Sequence, residues 1–122
     1  MVQSQNAKVE YSASATFLSG IFSYGKVLLG DKSFEFYNDR NPQDFIQIPW
    51  TEIDHVEVSV LFGGRVLPRF CIITREGSKF AFSCRDNKAC LRAMRQHVPE
   101  DRLVRALSPI DVVKGLLRSR AR

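Results

Sequence analysis

A chain of 122 residues, 44% hydrophobic and 25% charged, is one domain's worth of sequence with enough apolar material for a packed core. That composition excludes a disordered, collagen-like or solenoid chain, and at this size no metal or disulfide scaffold is needed for stability. The net charge of +5 is uneven: residues 1–84 hold 8 Lys+Arg against 9 Asp+Glu, whereas residues 85–122 hold 10 against 4.

Residues 1–8 are polar and predicted to fray. From Val9 to about Val98 the punctuation is that of antiparallel strands. Val9–Phe17 alternates loosely, with Val9, Tyr11, Ala13 and Ala15 on one parity. Lys26–Leu29 and Ser33–Tyr37 flank Gly30-Asp31-Lys32, a short hairpin signal. Phe34 and Phe36 then point to one face, Glu35 and Tyr37 to the other. The run Asn38-Asp39-Arg40-Asn41-Pro42 is dense in turn formers and predicts a loop. Phe45, Ile46 and Ile48 lead to Pro49-Trp50, where proline interrupts the ladder.

The clearest hairpin follows. Ile53–Val60 and Arg65–Thr74 alternate on either side of Gly63-Gly64, a turn that needs positive φ. Gly77 closes another turn, and Lys79–Ser83 contributes Phe80 and Phe82. The period then changes from two to about 3.6. Asp86 caps a helix whose Leu91, Met94 and Val98 recur at helical spacing, with Arg92, Arg95 and Gln96 opposite, and Pro99 ends it. Residues 103–107 read as a short apolar link. Ser108-Pro109-Ile110-Asp111 reads as a second helix start, with Ser108 as N-cap and Pro109 at the first helical position. Ile110, Val112, Val113, Leu116 and Leu117 gather on one face of it, while Lys114, Arg118 and Arg122 line the other.

These elements predict a mainly β fold with C-terminal helices: an antiparallel β-barrel capped by one α-helix over residues 9–98, then a basic helical extension over 99–122 ending in a short amphipathic helix.

No residue is predicted to be catalytic, and the chain is not expected to be an enzyme. His55 lies mid-strand and His97 at a helix end, without a nucleophile motif beside either. Cys71, Cys84 and Cys90 form an odd set without a CxxC pair, which suits a reducing interior and small buried thiols. The spacing of Cys84, Cys90 and His97 is too wide for a zinc site, and Asp39, Asp44, Glu52 and Asp54 follow no calcium-loop pattern. Gly63-Gly64 matches no phosphate-binding loop. Neither a metal nor a cofactor is expected.

Binding is the better prospect. The cationic excess lies entirely in residues 85–122, which suits an acidic partner; the competing reading is a helical surface made soluble by arginines. The candidate partner- or anion-binding residues are Arg92, Arg95, Lys114, Arg118 and Arg122. Their expected counterpart is an acidic protein patch, an anionic membrane face or a second copy of the chain. Nucleic acid is disfavoured, because all nine Phe residues fall in the slightly anionic part, away from the arginines. Met1 is followed by Val2-Gln3-Ser4-Gln5-Asn6, without the pattern of a signal peptide, and apolar runs such as Val60-Leu61-Phe62 are far too short to span a bilayer. A cytoplasmic location is expected, peripheral at the inner membrane face if the partner is lipid.

Two resemblances add to this reading. The segments 24–40 (YGKVLLGDKSFEFYNDR), 46–53 (IQIPWTEI) and 107–113 (LSPIDVV) resemble the ManO-type family of small bacterial proteins, encoded beside mannose-class phosphotransferase transporters. That resemblance spans nearly the whole chain and implies an accessory or regulatory role toward sugar uptake, acting through contact with a phosphotransferase component; it carries no active-site residues. A meander of strands followed by one capping helix, with Ile48-Pro49-Trp50-Thr51-Glu52-Ile53 midway, is also similar to the pleckstrin-homology/GRAM superfold. That likeness implies a PH/GRAM-like barrel and, as the alternative function, a peripheral lipid-binding module.

Overall fold

The structure, a computed structural model, describes residues 3–106. The expected terminal helix near 109–120, with Lys114, Arg118 and Arg122, lies outside the described residues. Eight strands run in chain order: β1 (Val9–Phe17), β2 (Ser23–Gly30), β3 (Ser33–Asn38), β4 (Phe45–Pro49), β5 (Ile53–Val58), β6 (Phe70–Thr74), β7 (Lys79–Cys84) and β8 (Leu103–Arg105). The helix α1 (Asn87–Met94) follows β7. The strands form one sheet in the order β4-β3-β2-β1-β7-β6-β5-β8.

Two expectations are corrected here. The sheet is not a closed barrel, because β4 and β8 are its two edges. Pro49 supplies no N–H at the end of β4, and a 3-10 turn at Trp50–Glu52 leads the chain away before β5 begins, so these consecutive strands do not pair. Nor is the sheet purely antiparallel. The stretch read as an apolar link contains β8, which runs parallel to β5 with Val56 opposite Leu103 and Val58 opposite Arg105.

The sheet nevertheless curls over its own core. Neighbouring strands lie about 4.8 Å apart, so β3 and β6, four steps apart, would be about 19 Å apart if the sheet were flat. Instead the ring centroids of Phe34 on β3 and Phe70 on β6 are 6.2 Å apart, and Phe34 lies 5.0 Å from Phe82 on β7. The alternation expected of β3 holds: Phe34 and Phe36 enter this core with Val27, Leu29, Ile48, Val56 and Ile72. Asp86 caps α1 as expected, accepting from Ala89 N at 3.1 Å, and the helix lays Cys90, Leu91 and Met94 on the core. It ends at Met94 rather than near Val98, yet Val98 is still buried, turned inward by its N–H bond to Met94 O.

Residues 4–8, expected to fray, are instead held by hydrogen bonds. Glu35 points away from the phenylalanine face and is fully buried, so its carboxylate needs donors. They come from Ser4 Oγ at 2.5 Å, Gln5 N at 2.7 Å and Asn6 Nδ2 at 3.2 Å. Asn6 Oδ1 in turn accepts from Lys32 N and Ser33 N, while the Asp31 carboxylate accepts from Ala7 N and Lys8 N. The backbone N–H of Lys8 leads in holding the Asp31 carboxyl below the usual range.

Candidate partner-binding surface

On α1 the apolar residues face the core, which leaves Lys88 and Arg92, four positions apart, on the exposed side. Arg95, one position past the helix, is also exposed, and its Nη2 lies 3.3 Å from Glu100 Oε2. Both members of that pair are open to water, so the attraction is weak and screened. The two described candidates therefore differ: Arg92 presents its charge outward, whereas Arg95 shares its charge with Glu100.

The sequence pattern did not single out the groove beside the helix start. It has a volume of about 510 Å³ and is walled by Tyr11 of β1, by Arg65 and Leu67 of the β5–β6 loop, and by Arg85 and Lys88 at the start of α1. Asp86 also lines it, but its carboxylate is engaged by Ala89 N. Three cations and the positive end of a short helix thus converge on one concave surface. Arg85 and Lys88 belong to the cationic stretch legible in the sequence. Arg65 comes from a loop twenty residues earlier, and no spacing rule connects it to them.

The histidines are held by other residues. His97 stacks on Trp50 with centroids 4.7 Å apart, and its Nε2 lies 2.6 Å from Glu10 Oε1. Trp50 Nε1 donates to Gly30 O at 2.8 Å, so this cluster ties the start of β1, the β2–β3 turn and the residues after α1 together. His55 lies between Asp54 and Glu57, at 2.7 and 3.4 Å. The hydrogen bond to Asp54, joined by Glu57, raises the His55 pKa above its ordinary value against a smaller effect of burial. Cys84 and Cys90 are buried; interaction with Cys84, reinforced by burial, pushes the Cys90 thiol up, and burial does the same to Cys71. Thiols shifted upward stay protonated and are poor nucleophiles or metal ligands near neutral pH. Among the described residues no group of three or more His, Cys, Asp or Glu is placed to hold a metal ion.

The family described as "Domain of unknown function (DUF956)" matches residues 1–117. Among curated proteins none matches this chain. Among solved structures the fold is similar to the C-terminal domain of an unknown protein from Leishmania infantum, with a TM-score of 0.64 and 10% identity. That likeness covers 74% of this chain and 83% of the other, and at such identity it bears on the fold alone.

Proposed function

We propose that this chain, which belongs to the DUF956 family, is a non-enzymatic accessory or regulatory protein of a mannose-class sugar phosphotransferase system and acts by protein contact. The observation that carries the contact reading is the cationic surface formed by Arg65, Arg85, Lys88 and Arg92 on a body that is otherwise slightly anionic. Lys114, Arg118 and Arg122, outside the described residues, add to the cationic charge offered to the partner in this reading, and the location is cytoplasmic. The placement beside a sugar transporter is supported by the likeness of residues 24–40 and 46–53 to the ManO-type family. A PH/GRAM-like scaffold is supported by seven successive strands, antiparallel wherever they pair, followed by one core-packed helix. The engaged histidines and protonated thiols support binding over catalysis.

A second reading has its own observation. The β1–β2 tip carries Ile21 and Phe22, 92% and 61% exposed, as a peripheral lipid-binding module would. Co-purification with phosphotransferase components and co-sedimentation with anionic vesicles separate the two. Lys88→Glu with Arg92→Glu is expected to abolish co-purification, and added salt to weaken it. Undiminished co-purification of that variant overturns the contact reading, and salt-sensitive vesicle binding without co-purification replaces it with the lipid reading.

A further inference from the structure

The loop between β5 and β6 is built rather than slack. Leu61 N donates to Val66 O at 2.9 Å and Val66 N returns to Leu61 O at 3.2 Å, while Gly64 N and Arg65 N close the turn onto Leu61 O and Phe62 O. At its apex Phe62 holds a φ of 52°, followed by Gly63 at 66° and Gly64 at 93°. That conformation disfavours a bulky residue, and Phe62 is 77% exposed. Neither backbone preference nor core burial accounts for a phenylalanine there; glycine or asparagine would suit the turn better. Leu61 and Val66, 47% and 43% exposed, widen the ring into an apolar knob. The knob adjoins the cationic groove, since Val66 belongs to the knob and, with its neighbour Arg65, also lines the groove.

We infer that the knob and the groove together receive an acidic segment of a partner protein that carries an apolar side chain. Phe62, with Leu61 and Val66, takes the apolar side chain, and Arg65, Arg85 and Lys88 take the carboxylates. This rests on the protein-contact reading above and names the chemistry of the partner. Aromatic and arginine side chains in combination are the usual anchors of such contacts. A flat bilayer would meet the knob and leave the concave groove unfilled, whereas an extended segment fills both.

The test uses the full chain, isotope-labelled, titrated with a synthetic Glu/Gly peptide bearing one central tryptophan. Two control peptides replace the tryptophan by glycine or the glutamates by glutamine. The acidic tryptophan peptide is expected to bind more tightly than either control, with shifts at residues 59–69 and 84–88. Phe62→Asn removes the ring while keeping a residue that tolerates positive φ, and is expected to weaken binding about 10-fold. Arg85→Glu is expected to weaken it at least as much. If Phe62→Asn binds normally while Arg85→Glu does not, the knob inference is overturned and the cationic contact reading stands. If neither substitution matters, both fall. Ring-dependent binding to phosphatidylserine vesicles with no preference for the acidic peptide overturns the protein segment in favour of a membrane.

Discussion

Glu35 shows how one polar residue organises a segment that composition alone would leave loose. A buried carboxylate without donors is costly, and this one is supplied by residues 4–6 from about thirty positions away in sequence. Asn6 is the hinge of that arrangement, donating to Glu35 and Ser33 O and accepting from Lys32 and Ser33. Asn6→Ala is therefore expected to cost about 1–3 kcal/mol in urea unfolding, well above the usual effect of a change near a chain end. His55 gives a second residue-level expectation. Its raised pKa means that its contribution to stability is fully present below its unfolded value of about 6.5 and is lost as pH rises through the higher folded value. The Asp54 carboxyl is lowered, chiefly by the same hydrogen bond, so its share is present above its unfolded value and is lost as pH falls through the folded one. An NMR titration should place the His55 midpoint above 6.5, and Asp54→Asn should move it down. An unchanged midpoint would show that the pair does not form in solution.

The β2–β3 hairpin and α1 depend on different local devices. Gly25 sits where a Cβ would lie 2.1 Å from the backbone oxygen of Tyr37 and 2.9 Å from the Phe36 ring. Strand pairing at Gly25↔Asn38 leaves no flexible atom to yield, so Gly25→Ala is expected to lose about 1–3 kcal/mol and to broaden the amide signals of β2 and β3. Asp86→Ala removes the single side-chain cap of α1 and should cost about 1 kcal/mol. Because Asp86 also lines the cationic groove, the same substitution should tighten acidic-peptide binding while it lowers stability. Opposite signs in one variant separate the cap from the groove. In the β5–β6 connection the alternating pattern runs past the ends of the strands. Alternation extends the expected strands to Val60 and from Arg65, but the continuous ladder ends at Val58 opposite Phe70, and beyond it come a Ser59 N bond to Arg69 O and an isolated Leu61–Val66 bridge. Pro68, in the returning arm, has no N–H for a ladder.

Across the molecule, stability is concentrated where the curled sheet meets itself. Phe82 is fully buried, and its ring centroid lies within 6.0 Å of those of Phe17, Phe34, Phe36 and Phe70. Phe17 and Phe70 lie on β1 and β6, which pair with β7 directly, but Phe34 and Phe36 lie on β3, three strands away, so one ring joins parts of the sheet that backbone pairing leaves distant. Phe82→Ala should cost about 3–5 kcal/mol, a large share of the stability of a domain this size, and melting temperature should report it. Phe80→Ala, one pleat step away at a half-buried position, should cost much less. Equal losses would indicate that the two halves of the sheet do not share a core. Among the described residues no helix is long and apolar enough to cross a membrane.

Period-two alternation, turn residues and the change of period after Cys84 are written locally along the chain. For that reason the β-rich class, the hairpin at Gly30-Asp31-Lys32, the break at Pro49-Trp50 and the Asp86-capped helix could all be read directly. The cationic excess of the carboxy-terminal stretch is likewise a property of composition. Folding added what depends on partners distant in sequence. It left β4 and β8 as open edges, recruited Leu103–Arg105 into a parallel pair, docked residues 4–8 onto Glu35 and Asp31 and brought Arg65 beside Arg85 and Lys88. Each of those outcomes turns on which unpaired donor, free strand edge or buried charge finds a complement in space, and a linear pattern carries no record of that meeting.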